Sequence, residues 1–159
     1  MTKSDWLTIV LVLHILGAIV ALGFSLTYGL WIARGSAEGA AQRVFALKTV
    51  SWIDRRFTTP AYVAQAATGV IMVALIDWEL LRRGWLVLSI GIYVLLTVLA
   101  MAAFAPAHRR QTALAERLAS GDGVETEYEE AAAAATRWGV VVTLLTVTIV
   151  VLMVWKPAL

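Results

Sequence analysis

Residues 6–33, WLTIVLVLHILGAIVALGFSLTYGLWIA, run from Asp5 to Arg34 without an Asp, Glu, Lys or Arg. Crossing a hydrocarbon core of about 30 Å takes about 20 apolar residues in helical form. This run exceeds that length. It is also too long for the apolar region of a cleaved leader, usually about 7–15 residues, so a retained first span is expected. Three further runs share its character, at 57–76, 84–107 and 138–155. The last is rich in Val and Thr, which favour strand in water. In lipid, however, a single segment can satisfy its backbone N–H and C=O groups only as a helix. The expected fold is therefore all-α: an integral membrane four-helix bundle forming one domain over 1–159.

Composition agrees. The chain is 60% hydrophobic and 15% charged, whereas soluble domains carry about 25% charged residues. There is too little polar surface to cover the outside, so the outside faces a lipid bilayer. A net charge of +2 gives no reason to expect a nucleic-acid partner. With no cysteine, disulfides, iron–sulfur clusters, thiolate zinc sites and cysteine nucleophiles are excluded.

The basic residues set the orientation. Arg34, Arg43, Lys48, Arg55, Arg56, Arg109, Arg110, Arg117 and Arg137 fall in the first and third loops, nine of the thirteen Lys and Arg. Lys3, Arg82, Arg83 and Lys156 fall in the termini and second loop. The positive-inside rule places the first group in the cytoplasm and both termini on the outer face, in the inner (plasma) membrane of a cell. Trp6, Trp78, Trp85 and Trp155 then mark the outer interface, and Trp31 and Trp138 the inner one.

The cytoplasmic loops have helical character too. At 44–56, Val44, Phe45, Leu47, Val50 and Ile53 recur at helical spacing among basic residues, which predicts an amphipathic interfacial helix. Pro60 suits the first turn of the second span. The third loop, 109–137, reads as helix at 109–119, a turn at Ser120-Gly121-Asp122-Gly123, and a helix from about Val124 that continues into span four.

His14 is the sharpest candidate for chemistry. It lies roughly 12 Å from the outer edge at 1.5 Å per residue, a depth at which ionisable side chains usually face the bundle interior. Gly17, Ala18 and Ala21 follow at i+3, i+4 and i+7, leaving a slot beside the imidazole. Close helix packing can fill such a slot, with His14 as an interhelical hydrogen-bonding group. A flat ligand such as haem can fill it as well, with His14 as axial ligand. Met72, Tyr93 and Thr148 lie at comparable depth, within roughly 9–13 Å of the outer edge. They are candidates for a second ligand (Met72) and for hydrogen-bond partners (Tyr93 and Thr148). Gln65 either lines a cavity or bonds a neighbouring helix. His108 stands roughly 20 Å from His14 along the bundle, so the two histidines do not share a metal. With Arg109 and Arg110 it forms a basic cluster suited to an anionic headgroup or a propionate.

Three local patterns carry a family resemblance. They are Leu13-His14-Ile15-Leu16-Gly17-Ala18, then Arg55-Arg56 followed by Pro60 and Gly69, and Lys156-Pro157 after span four. With the four-span layout they resemble the superfamily of HemJ-type protoporphyrinogen oxidases and CopD-type copper-resistance membrane proteins. The match looks nearest to a small group known only as a domain of unknown function. The resemblance implies a membrane four-helix bundle in which His14 binds b-type haem. The HemJ-type enzymes also carry a lysine early in span three and a histidine further along it. Here Ser89 stands at the first position and the interior of span three holds neither Lys nor His, a departure that counts against the oxidase activity. The expected function is a small membrane haemoprotein serving electron transfer or a redox partner protein, as a monomer or homo-oligomer. A small-solute or metal-ion permease and a structural membrane anchor subunit are the alternatives.

Overall fold

The computed structural model describes residues 2–158. Among them the chain is all-helical, with four helical rods each long and apolar enough to cross a membrane. Helix α1 spans Lys3–Glu38. Its start is a capping box in which Thr2 Oγ1 accepts from the Asp5 amide at 3.2 Å and Asp5 Oδ2 accepts from the Thr2 amide at 2.7 Å. It ends at Gly39, whose φ of 122° and ψ of 179° suit only a residue without a side chain. That single residue reverses the chain into α2, Ala40–Ile53. The hairpin is tight. A Cβ on Gly35 would lie 2.5 Å from Ala46 Cβ and 2.8 Å from the Gln42 carbonyl oxygen.

Helix α2 continues into α3, Thr59–Ile76, through a wide π-type turn at Asp54–Thr58, making one rod from Ala40 to Ile76. Helix α4, Gly84–Leu99, joins α5, Ala105–Ser120, through a second wide turn at Ala100–Phe104. Each wide turn precedes a proline, Pro60 and Pro106. A proline inside a helix has no N–H for the carbonyl four residues earlier and crowds it. Those carbonyls, on Arg56 and Ala102, lie inside the two wide turns, where the widened backbone relieves the clash without breaking the rod. Helix α6, Glu125–Trp155, is unbroken. Between α5 and α6 the chain turns at Gly121 in a left-handed conformation, with the Asp122 amide donating back to the Arg117 carbonyl. Between α3 and α4, a short 3₁₀ turn at Trp78–Arg82 is capped by Asp77.

Helix α1 packs on α2 and α3, while α6 packs on α4 and α5. The register of α1 on α3 is antiparallel, with His14 opposite Thr68 and Tyr28 opposite Thr58. The Lys156 ammonium stands 5.7 Å over the Trp85 ring, which brings the end of α6 to the start of α4. Both termini therefore lie at one end of the bundle, and the α1–α2 and α5–α6 turns lie at the other, here called the basic end.

A 37-residue rod is about 55 Å long, far more than a hydrocarbon core of about 30 Å. The excess forms a second layer at the basic end, and its packing differs from that of the spans. Leu47, Leu114, Ala115, Tyr128 and Ala131 form a buried cluster there, as in a water-soluble bundle. It is bordered by ion pairs from Arg43 to Glu125 at 3.0 Å and from Lys48 to Glu116 at 2.7 Å, and Arg43 also covers the Tyr128 ring at 4.5 Å. In the spans, by contrast, large apolar residues point outward. Ile19, Val63, Val94 and Leu144 are all exposed. The segment 44–56, expected as a separate interfacial helix, is part of the α2–α3 rod. Its Leu47 and Val50 are buried against protein, while Phe45 remains exposed.

Candidate functional site

His14 sits in the half of α1 nearer the termini, against α3. Its Nδ1 lies 2.7 Å from Thr68 Oγ1. The Thr68 hydroxyl has one hydrogen, and it is donated back to the Ala64 carbonyl at 2.6 Å. Thr68 therefore accepts from His14, and the proton sits on Nδ1. This tautomer, assigned from the hydrogen-bond partners, leaves Nε2 as the unprotonated nitrogen with its lone pair available.

Gln65 fixes the same stretch from its backbone side, with its Nε2 donating to the His14 carbonyl. Gly17 makes that approach possible, because a Cβ there would stand 2.7 Å from Gln65 Nε2. One helical turn further along α3, Gly69 presents only backbone to His14 Cε1. The sequence positions 65, 68 and 69 thus share one face of α3 and meet His14 together, Gln65 at its carbonyl and Thr68 and Gly69 at its ring.

Beyond His14 the molecule opens. The backbones of α3 and α4 stand apart among the described residues, and a cavity of about 570 Å³ lies between α1, α3, α4 and α6. That is within the range of about 300–1,000 Å³ typical of small-molecule and cofactor sites. Trp78 and Leu81 of the short turn line it toward the terminal end. Its walls are almost wholly apolar. The polar exceptions are few: His14, Gln65, Ser89 and Tyr93, with the indole of Trp78. Ser89 is fully buried and its hydroxyl donates to the Trp85 carbonyl at 2.7 Å.

A hydrogen-bonded relay joins the helices beside the cavity. Tyr93 Oη donates to the Tyr62 carbonyl at 2.8 Å, and Tyr62 Oη lies 2.9 Å from Thr146 Oγ1. Thr146 donates to the Val142 carbonyl at 3.0 Å, so it accepts from Tyr62. Through these three side chains, α4, α3 and α6 are held in one register.

The residues expected from the sequence divide accordingly. His14, Ala18 and Tyr93 line the cavity. Gly17 serves the Gln65 contact rather than the cavity wall. Ala21 is buried in helix packing, 2% exposed, and its carbonyl accepts from Ser25. Met72 is half-buried off the cavity, and the methionine that lines it is Met153. Thr148 is exposed and bonds only its own helix, at the Leu144 carbonyl. Two residues along a helix is a rotation of about 200°, so Thr146 faces inward and Thr148 outward. Depth alone could not separate the two. Thr68 was legible only as the residue three places after Gln65, and the α1–α3 register was needed to set it against His14.

His108 is remote from this site and buried at the basic end. Its Nε2 lies 3.0 Å from Ser51 Oγ, and the Phe104 ring stacks on it. Among the described residues no group of three His, Cys, Asp or Glu converges to hold a metal ion.

The fold and site define a four-span helical membrane protein with an apolar intramembrane cavity beside one oriented histidine. The chain belongs to the family described as predicted integral membrane protein (DUF2269), whose model matches residues 8–157. No curated protein and no solved structure matches it.

Proposed function

We propose that the protein is a small membrane haemoprotein that holds b-type haem in this cavity through His14 and serves electron transfer with a redox partner. The observation that supports it is the imidazole itself, with Nδ1–H committed to Thr68, Nε2 left with its lone pair, and a wall position in an apolar cavity of about 570 Å³. Metal-ligating histidines almost always donate their other ring N–H to a neighbouring group in this way. One histidine is a poor site for a bare ion, and no three-ligand group lies among the described residues. A metal that arrives with four equatorial ligands in a macrocycle needs only one or two from the protein.

The donor set and walls fit such a group. Ala18 and Gly69 give low relief beside His14, suited to a flat ring. Met153 places a thioether on the wall as candidate second ligand. Tyr93, Gln65 and Trp78 offer the few polar contacts. Bound haem would supply one-electron redox chemistry. The chain's own residues orient the imidazole, exclude water and set the dielectric around it. The first-span histidine is the feature that the resemblance to the HemJ-type proteins links to haem. Oxidase activity is not part of the proposal, because Ser89 replaces the lysine.

The same reading places the basic end in the cytoplasm of a cell whose inner (plasma) membrane holds the protein, because nine of the thirteen Lys and Arg lie at that end. The test is the absorption spectrum of detergent-purified protein after haem-supplemented expression. A Soret band lost in His14→Ala, with helicity intact, is the expected result. Colourless wild-type protein would refute the proposal. It would favour a second reading, a carrier of a small apolar solute, which the near absence of polar groups in the cavity supports.

A further inference from the structure

A second cavity, of about 400 Å³, lies at the basic end along the seam of α2 and α5. Its walls carry Lys48, Trp52 and Arg55 from the α2 rod, and Arg109, Thr112 and Glu116 from α5. We propose that this groove binds the phosphate of an anionic phospholipid headgroup, with Arg55 and Arg109 as its donors.

Three observations carry the assignment. The first is charge. Three cations and one carboxylate line the groove, a net of +2, and the carboxylate is already engaged, Lys48 Nζ lying 2.7 Å from Glu116 Oε1. The pair closes one end of the groove. Arg55 and Arg109 stand in no ion pair among the described residues, and their planar guanidinium groups match phosphate oxygens in bidentate fashion. Asp54, the neighbouring acid, forms no ion pair with Arg55 and accepts from Thr59 Oγ1 at 3.2 Å.

The second is depth. Arg55 and Arg56 are the last charges before the apolar stretch 57–76, and Arg109 and Arg110 the first after 84–107. The groove therefore sits where hydrocarbon gives way to headgroups, the level at which basic pockets between membrane helices take up lipid phosphates. The third is Trp52, 60% exposed at the groove wall, an amphipathic ring of the kind that belongs to the headgroup layer. Ser51 and Thr112 also line the groove, but their hydroxyls donate to the Leu47 and His108 carbonyls, so the two guanidinium groups are the charged donors that remain for a ligand, with the Trp52 indole N–H beside them. The groove is at the opposite end of the bundle from His14 and does not depend on what fills the other cavity.

Native mass spectrometry of the full-length protein in detergent tests this, titrated separately with phosphatidylglycerol and phosphatidylcholine. Wild type is expected to retain phosphatidylglycerol selectively. Arg55→Gln/Arg109→Gln is expected to lower that retention about thirtyfold, from a little over fivefold (about 1 kcal/mol) per basic residue at an anionic surface. Phosphatidylcholine retention stays unchanged. Arg34→Gln/Arg117→Gln, which removes the same charge at the same end of the bundle, keeps the selectivity. Arg55→Lys/Arg109→Lys keeps the charge but loses the fork, and is expected to bind at an intermediate level, which separates binding from folding. Equal retention in the Gln variant and wild type, or equal loss in the two Gln variants, overturns the proposal. Displacement of the lipid by millimolar inorganic phosphate also overturns it, since the site would then serve a free anion.

Discussion

Thr68→Val isolates the link between His14 and its orienting partner. The substitution keeps the side-chain shape and removes the hydroxyl, so the His14 Nδ1–H loses its 2.7 Å acceptor, while the only other bond lost is the local one from Thr68 to the Ala64 carbonyl of its own helix. Two effects follow, and their sizes differ. An unmade buried hydrogen bond in water-soluble proteins costs about 1–3 kcal/mol. Interhelical side-chain bonds within a membrane average only about 0.6 kcal/mol, because the unfolded chain in lipid also finds partners. His14 and Thr68 are both partly buried in a span, so the smaller figure applies and the fold should lose less than about 1 kcal/mol. Losing the group that orients a metal-binding histidine instead costs about 10–100-fold in ligand affinity, or about 1.4–2.8 kcal/mol. The expected result is therefore a clear fall in haem affinity with nearly normal stability. Haem titration followed at the Soret band measures the first, and helicity against rising SDS fraction the second. Thr68→Ser, which restores the hydroxyl, should recover most of the affinity. If Thr68→Val binds haem as wild type does and with the same spectrum, the tautomer argument fails.

Other substitutions test the architecture. Leu47→Ala, at a site with no exposure in the basic-end cluster, should cost about 2–5 kcal/mol. Leu16→Ala, half-exposed on the lipid side of α1, should change stability little, because lipid tails are as apolar as leucine; chemical denaturation of both in one detergent compares them. Gly35→Leu should disrupt the α1–α2 hairpin, since even its Cβ would meet Ala46 at 2.5 Å, and should be read as loss of monodisperse protein on gel filtration. Thr146→Val should lower stability by about 0.6 kcal/mol through the Tyr62 bond while Thr148→Val is neutral, and equal effects would refute the inward and outward assignment.

How much of this was legible beforehand depends on the physics of each feature. The four spans were set by composition alone, because a bilayer leaves a long apolar segment one backbone solution, and the family match over residues 8–157 agrees with that reading. His14 stood out for the same kind of reason, as an ionisable group where few are tolerated. The turn between α5 and α6, read at 120–123, announced itself through its two glycines. Helical phase around a lipid-facing rod was not legible. In water a polar residue marks the outer face, but in lipid leucine and valine cover every face, so Thr146 and Thr148, or Met72 and Met153, look alike along the chain. Which of each pair turns inward is decided by the packing of α3, α4 and α6. The helix from about Val124 into span four was read correctly as one rod, but the continuity of α2 with α3 and of α4 with α5 was hidden, since charged residues end a span without ending a helix. The sequence by itself determined that the chain crosses a membrane four times with a histidine inside. Only the tertiary structure decided that Thr68 holds that histidine in one tautomer and that α3 and α4 part to leave a cavity beside it. Those outcomes depend on the antiparallel register of two helices far apart in sequence, which no local pattern encodes.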